Sequence, residues 1–193
     1  MSQETRQETL ILYCALSGEI QEYQNRLIRE VADKFGLKKI ITLNVEPHFT
    51  LKYWFRADES QVIAVQKLLS GFCSMNLKAP IRVGGFRGFN PSVVYSAIEF
   101  SDAAFVLLNK FFAELRKSSW IEWNEFDAEK LIPHSTIAED CDDHYQAVMD
   151  YLAGKEKIFD SFLDNISIIR KTGESDGIVL FEKMKQYYFR NSL

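Results

Sequence analysis

Pro47-His48-Phe49-Thr50-Leu51 is answered far downstream by Pro133-His134-Ser135-Thr136-Ile137. The chain holds three histidines in 193 residues, and two of them stand in these near-copies. In a strand, residues i and i+2 face the same side. His48 and Thr50 therefore share a face, with Lys52 and Trp54 further along it, while Phe49 and Leu51 point the other way into packing. His134 and Thr136 share a face in the second copy, with Ile137 opposite. Ser135 stands where the first copy has Phe49, so the repeat is imperfect there. A single His-x-Thr on a strand is a short pattern that is usually structural. Two copies, each after Pro and before an aliphatic residue, are much harder to reach by chance.

Outward from these stretches, apolar spacing lays down a repeating order. Residues 10–16, LILYCAL, form an apolar run fit for a buried strand. Residues 19–35 place Ile20, Tyr23, Leu27, Ile28, Val31 and Phe35 at helical spacing. A β-rich run follows Pro47, and residues 58–72 carry Val62, Val65, Leu68 and Leu69 on one helical face. Residues 81–86 and 93–100 read as strands joined through a loop with Gly, Asn and Pro. The glycine-rich VGGFRGF lacks the strand-to-helix setting of a nucleotide loop and reads as a turn. The order then restarts. Strand 93–100 opens a second copy, and a helix over 101–117 turns Phe105, Leu108, Phe112 and Leu115 inward. The second histidine strand, a helix over 142–152 and closing strands over 162–169 and 178–184 complete it.

The registers of the two copies agree. His134 follows His48 by 86 residues (134 − 48). Ser17 and Ser101, each a plausible helix N-cap after a strand, lie 84 apart (101 − 17), as do Asp58 and Asp142 (142 − 58). The expectation from the repeat is two similar lobes facing each other across a pseudo-two-fold axis. No Gly-, Pro- or Ser-rich linker separates the copies, so the lobes are not expected to move as independent domains.

The totals narrow the classes. A net charge of −4 argues against a protein that coats nucleic acid non-specifically, and against a DNA duplex as partner. It leaves room for a local basic pocket around one phosphate. Cys14, Cys73 and Cys141 are odd in number and form no CxxC, so a disulfide framework or zinc site is not expected. The polar start MSQETRQETL has no apolar signal core, and no apolar run is long enough to span a bilayer. The expectation is a cytoplasmic protein, monomeric, with no membrane partner.

If both polar strand faces line one groove, two imidazoles and two hydroxyls surround one small volume. That set suits a phosphodiester or cyclic phosphate. A neutral imidazole can take a proton from an attacking water or hydroxyl, and an imidazolium can give one to the leaving oxygen. Histidine, with an ordinary pKa near ~6.5, reaches both states near neutrality. Threonine hydroxyls can donate to the non-bridging oxygens as charge builds. Two separated histidines without a carboxylate cluster make a poor zinc or magnesium site, so neither metal nor cofactor is expected.

With these motifs the sequence resembles the 2H phosphoesterases, which include the 2′-5′ RNA ligase-like proteins and cyclic nucleotide phosphodiesterases. Their signature is a pair of His-hydrophobic-Thr/Ser-hydrophobic motifs, matched here by His48-Phe49-Thr50-Leu51 and His134-Ser135-Thr136-Ile137. The likeness covers roughly residues 10–184 and includes HFTLKYWF and FNPSVVYSAIEFS. It implies a bilobal α+β fold, a single domain over 1–193 made of two lobes of antiparallel sheet and helices around a central cleft. It implies hydrolysis or transfer at 2′,3′-cyclic phosphates or 2′-5′ phosphodiester bonds of nucleotides or RNA ends. It further implies that His48 and His134 are the acid–base pair, with Thr50 and Thr136 as phosphate contacts. Two positions depart from the pattern. Ser135 is polar where a hydrophobic residue is usual, and Glu139 stands where many relatives carry a base. A carboxylate at 139 weakens attraction for a polyanionic RNA and favours small cyclic nucleotides.

Other residues are candidates for lesser roles. Lys52 could steady a phosphate from the groove face or be a solvated strand lysine. Trp54, Phe89, Trp120 and Trp123 could stack on a base or pack in the core or rim. Arg170 and Lys171 could reach the cleft or sit in a solvated turn, and His144 reads as a surface residue at a helix start. The same site could serve an ADP-ribose cyclic phosphate or a 2′-5′ oligoadenylate. A cleft that binds RNA or nucleotide without chemistry is the alternative from another class.

Overall fold

The computed structural model describes residues 7–175 and 177–191. The strands are β1 (Glu8–Ala15), β2 (His48–Ala57), β3 (Ala79–Phe89), β4 (Val93–Phe100), β5 (His134–Glu139), β6 (Phe159–Leu163), β7 (Asn165–Ser175) and β8 (Ile178–Tyr188). The helices are α1 (Glu19–Phe35), α2 (Lys39–Leu43), α3 (Glu59–Met75), α4 (Asp102–Leu115) and α5 (Tyr145–Ala153). Two four-stranded sheets form, ordered β2-β1-β7-β8 and β5-β4-β3-β6, and the pairings within them are antiparallel. The α+β architecture implied by the resemblance is present.

The repeat does not divide the lobes as the sequence order suggests. After β2 the chain leaves the first sheet, builds the whole second sheet from β3 to β6, and returns for β7 and β8. The run read as one strand over 162–169 is two strands in different sheets, parted at Asp164. Apolar alternation cannot reveal such a crossing, because β6 and β7 both bury residues. Asn165 marks the change of sheet. Its buried side-chain amide bonds the backbone N and O of Ala15 at 3.0 and 2.9 Å, taking the place of a strand partner.

One face of each sheet packs on the core. Leu10, Leu12 and Cys14 of β1 pack with Phe49 and Leu51 of β2, with Leu69 and Phe72 of α3, and with Phe111 of α4. Leu27 and Val31 of α1 cross over to the second sheet and meet Val94, Ile137 and the α5 residues Val148 and Leu152. The opposite face of β1 carries Ile11, Tyr13 and Ala15, clustered with Ile169, Val45, Trp54 and Phe181.

Local signals explain most helix ends. Asp58 caps α3 in a reciprocal box with Gln61, and the Ser101 hydroxyl accepts from Ala104 N at 3.2 Å at the head of α4. Gly36 (φ 77) ends α1 in the left-handed conformation that favours glycine. Ser17 is not the cap of α1. Gly18 holds that position at φ 62 without a side-chain cap, a conformation a serine reaches only with strain. Asp142 likewise opens a short 3-10 turn over Asp142–His144, and α5 begins at Tyr145. The VGGFRGF stretch is not a turn but a bulged part of β3. Register slips between Val83 and Phe86, and a Cβ on Gly84 would fall 2.4 Å from Lys157 O.

Candidate active site

β2 and β5 are edge strands of their sheets, and the two edges lie against each other. His48 and His134 are the first residues of these strands and occupy matching positions. His48 pairs in register with Ala15 and His134 with Ala97; Thr50 pairs with Tyr13 and Thr136 with Tyr95. Directly opposed residues share a face, so each histidine stands beside a tyrosine. The ring centroids are 4.8 Å apart for Tyr13–His48 and 5.0 Å for Tyr95–His134. The backbone repeats the match. Leu16 N donates to Pro47 O at 2.8 Å, and Ile98 N to Pro133 O at 3.2 Å.

Both imidazoles are held by the carbonyl two residues back. Nδ1 of His48 lies 2.7 Å from Glu46 O, and Nδ1 of His134 lies 2.7 Å from Ile132 O. A carbonyl only accepts, so each Nδ1 carries the proton and the neutral ring keeps its lone pair on Nε2. The threonine hydroxyls make no side-chain hydrogen bond among the described residues and are half-buried.

Electrostatics keep both rings readily neutral. Burial pushes the pKa of His48 and that of His134 below the ordinary histidine value. For His48 the Glu46 carbonyl bond and carboxylate pull upward, while the charge of His134 pushes further down. For His134 the Ile132 bond and the Glu139 carboxylate pull upward. Each ring therefore feels the other lobe or its own rim, not bulk water alone.

The sequence pattern of the 2′-5′ RNA ligase superfamily matches residues 12–174, which takes in both histidine strands. The chain belongs to this superfamily. A Geobacillus kaustophilus (strain HTA426) protein named "Putative phosphoesterase" is 26% identical over 153 residues, covering 78% of this chain and 80% of that one. A Geobacillus thermodenitrificans (strain NG80-2) protein of the same name is 28% identical over 123 residues, 63% of each chain. Among solved structures, TT0787 of Thermus thermophilus superposes with TM-score 0.67 at 14% identity, covering 96% of this chain and all of that one. LigT of E. coli complexed with 3′-AMP gives 0.62 at 13% identity, covering 95% and 99%. LigT has also been crystallised with NADP+.

Other positions of this superfamily member depart from the strand-face reading. Lys52 is not on the cleft face. β2 slips register against β1 between Thr50 and Lys52 and again between Lys52 and Phe55, so Lys52 opposes the core residue Leu12. Its side chain is 0% exposed and its Nζ lies 2.8 Å from Asp127 Oδ2. Asp127 also accepts from Tyr53 N and Asn124 N, at 3.0 and 2.9 Å, and so pins the segment before β5 onto β2. The second slip returns Trp54 to the cleft face, half-buried with its ring centroid 5.7 Å from Phe181. Trp120 and Trp123 pack on the main core. Arg170 is ion-paired with Glu182 and Glu8 inside β7, and Lys171 with Glu174. His144 is exposed.

Both departures from the motif are accommodated. Ser135 is buried and donates to Oε1 of the buried Gln24 at 2.6 Å, so its hydroxyl is satisfied in an apolar setting. Glu139 pairs with Lys39 of α2 at 3.2 Å, which offsets part of its charge.

Residues not singled out from the sequence also reach the cleft. Tyr13 and Tyr95 were legible in Tyr13-Cys14-Ala15-Leu16 and Tyr95-Ser96-Ala97-Ile98, which repeat at a spacing of 82 (95 − 13). Arg87 opposes Tyr95, so it faces the cleft, exposed and without an ion pair among the described residues. Phe89, one of the stacking candidates from the sequence, has its ring centroid 5.1 Å from that of His134. No group of three or more His, Cys, Asp or Glu side chains among the described residues could hold a metal ion. No described helix is long and apolar enough to cross a membrane.

Proposed function

We propose that the chain is a phosphoesterase that opens 2′,3′-cyclic phosphates or cleaves 2′-5′ phosphodiester bonds of nucleotides or RNA ends, with His48 and His134 as its acid–base pair. The observation that carries this reading is the matched fixing of two imidazoles by the carbonyls of Glu46 and Ile132, which leaves both Nε2 atoms for chemistry. Family membership and the nucleotides bound by LigT, a structural neighbour, support it.

We assign His48 as the base: burial, joined by the charge of a protonated His134, pushes it toward the neutral form against the upward pull of Glu46. His134 acts as the acid, its proton favoured by the Glu139 carboxylate. On a 2′,3′-cyclic phosphate, His48 Nε2 takes a proton from water as the water oxygen bonds phosphorus. The bond from phosphorus to the 3′ oxygen breaks, and His134 Nε2–H protonates that oxygen. The product is a 2′-phosphate. Exchange with solvent returns His48 to neutral and His134 to imidazolium. Thr50 and Thr136 donate to the non-bridging oxygens, and Arg87 offsets their charge from the second sheet. Proton transfer and charge stabilisation are thus supplied by the chain, and no step calls for a metal ion.

A panel run in EDTA tests the reading: 2′,3′-cyclic mononucleotides, a short RNA with a 2′,3′-cyclic end, 2′-5′ linked dinucleotides and an ADP-ribose cyclic phosphate. Turnover of a cyclic-phosphate or 2′-5′ linked substrate, insensitive to EDTA, is expected. No turnover of any of them, or turnover abolished by EDTA, would contradict it.

A further inference from the structure

Beside His48 the cleft face of the first sheet continues into a cavity of about 410 Å³. Tyr13 belongs to both. Its ring lies against His48 and its other side lines the cavity. Glu46 is shared in the same way. Its carbonyl holds His48 Nδ1, while its carboxylate accepts from Tyr13 Oη at 2.9 Å and from Lys183 at 2.5 Å within the cavity wall.

The opposite wall is α1, which presents Gln21, Asn25 and Arg29. These are spaced four apart and so form one stripe. None of the three has a side-chain hydrogen bond, ion pair or ring contact among the described residues. Several other polar residues of the helix are engaged. Gln24 accepts from Ser135, Arg26 pairs with Glu30, and Glu30 with Lys155. Ile40, Val45, Ile169 and Phe181 supply apolar surface around the stripe.

The chemistry selects a ligand class. Two side-chain amides offer a donor and an acceptor each, which suits the mixed edge of a nucleobase. Apolar walls suit the faces of a flat ring, and the volume is that of a small-molecule site. A lone phosphate would need neither the walls nor the amides. We infer that this cavity is a nucleobase subsite. It takes the base of the nucleotide whose phosphate lies between His48 and His134, with Gln21 and Asn25 reading the polar edge and Arg29 closing the outer end. The inference rests on the phosphoesterase reading for the position of that phosphate.

The test compares wild type with a Gln21→Ala, Asn25→Ala, Arg29→Ala triple variant. Alanine favours a helix, so α1 is retained, and a thermal melt checks the fold. Turnover of adenosine 2′,3′-cyclic monophosphate is measured, with binding of 3′-AMP and of inorganic phosphate by calorimetry. The expected result is a KM raised about tenfold with kcat nearly unchanged, since uniform binding is lost. The 3′-AMP affinity falls by a similar factor and the phosphate affinity holds. Wild-type turnover with an unchanged KM in the variant would overturn the subsite alone. A wild type that binds 3′-AMP more tightly than the variant but turns over nothing would leave the subsite standing and sink the phosphoesterase reading. A wild type that neither turns over nor binds a nucleotide would overturn both.

Discussion

Nδ1 of His48 lies 2.7 Å from the carbonyl oxygen of Glu46. That bond fixes the tautomer, the ring plane and the direction of Nε2 together. The second lobe repeats it at His134 with Ile132. An imidazole used only for packing would not need its second nitrogen kept open in both lobes. The remaining polar groups of the cleft then have definite tasks.

Thr50 and Thr136 are predicted to matter through their hydroxyls alone. Each Thr→Val change keeps shape and strand propensity while removing one donor to the phosphate oxygens. The expected loss in kcat is about 10²-fold for each, with thermal stability close to wild type. A steady-state comparison on a 2′,3′-cyclic nucleotide checks this; a loss under about threefold for both would exclude the donor role.

The pH dependence follows from the directions of the two shifts. Both histidines titrate below their ordinary value, mainly through burial. The working form carries one proton on the pair, so kcat/KM should be bell-shaped with macroscopic limbs belonging to the pair. On the acid side activity falls as His48 gains a proton. On the basic side it falls as His134 loses one, and because both values are lowered that loss sets in below about 6.5. The maximum is therefore expected on the acid side of neutrality, and a profile still rising above about pH 8 would contradict the assignment.

Arg87 is expected to act on binding. Arg87→Ala should raise KM for a nucleotide substrate by about tenfold and flatten its salt dependence, with little change in stability, since its guanidinium has no ion pair to lose among the described residues. KM measured at two salt concentrations decides it. Unchanged KM and salt response would place Arg87 outside the phosphate's reach.

Asp127→Ala should be costly although the residue lies away from the cleft. It strands the buried Lys52 charge and two backbone donors. Breaking a buried pair this way costs about 3–5 kcal/mol, read from urea denaturation midpoints. A loss below about 1 kcal/mol would mean that Lys52 finds water or another partner.

Much of this was legible in the sequence. The histidine strands and the helix over Glu19–Phe35 follow from residue spacing, because burial writes apolar periodicity into the chain. What was hidden depends on partners distant in sequence. The slips that turn Lys52 inward belong to the pairing of β2 with β1, and strand alternation cannot foresee them. Asp127 lies 75 residues from Lys52, and nothing local joins them. The placing of β3 in the second sheet and of β7 and β8 in the first leaves their apolar patterns unchanged. Tyr13 and Tyr95 were readable as a second repeat, but a tyrosine in an apolar strand looks like core until its cross-strand neighbour is known.

The central claim is that two imidazoles work as one unit. The most direct measurement is single-turnover hydrolysis of a 2′,3′-cyclic mononucleotide in EDTA by wild type, His48→Ala, His134→Ala and the double variant. Each single change should lower the rate by about 10²- to 10⁴-fold, and the double change should cost little more than the worse single one. If either single variant keeps near wild-type rates, or if the two losses multiply in full, the histidines are not an acid–base pair.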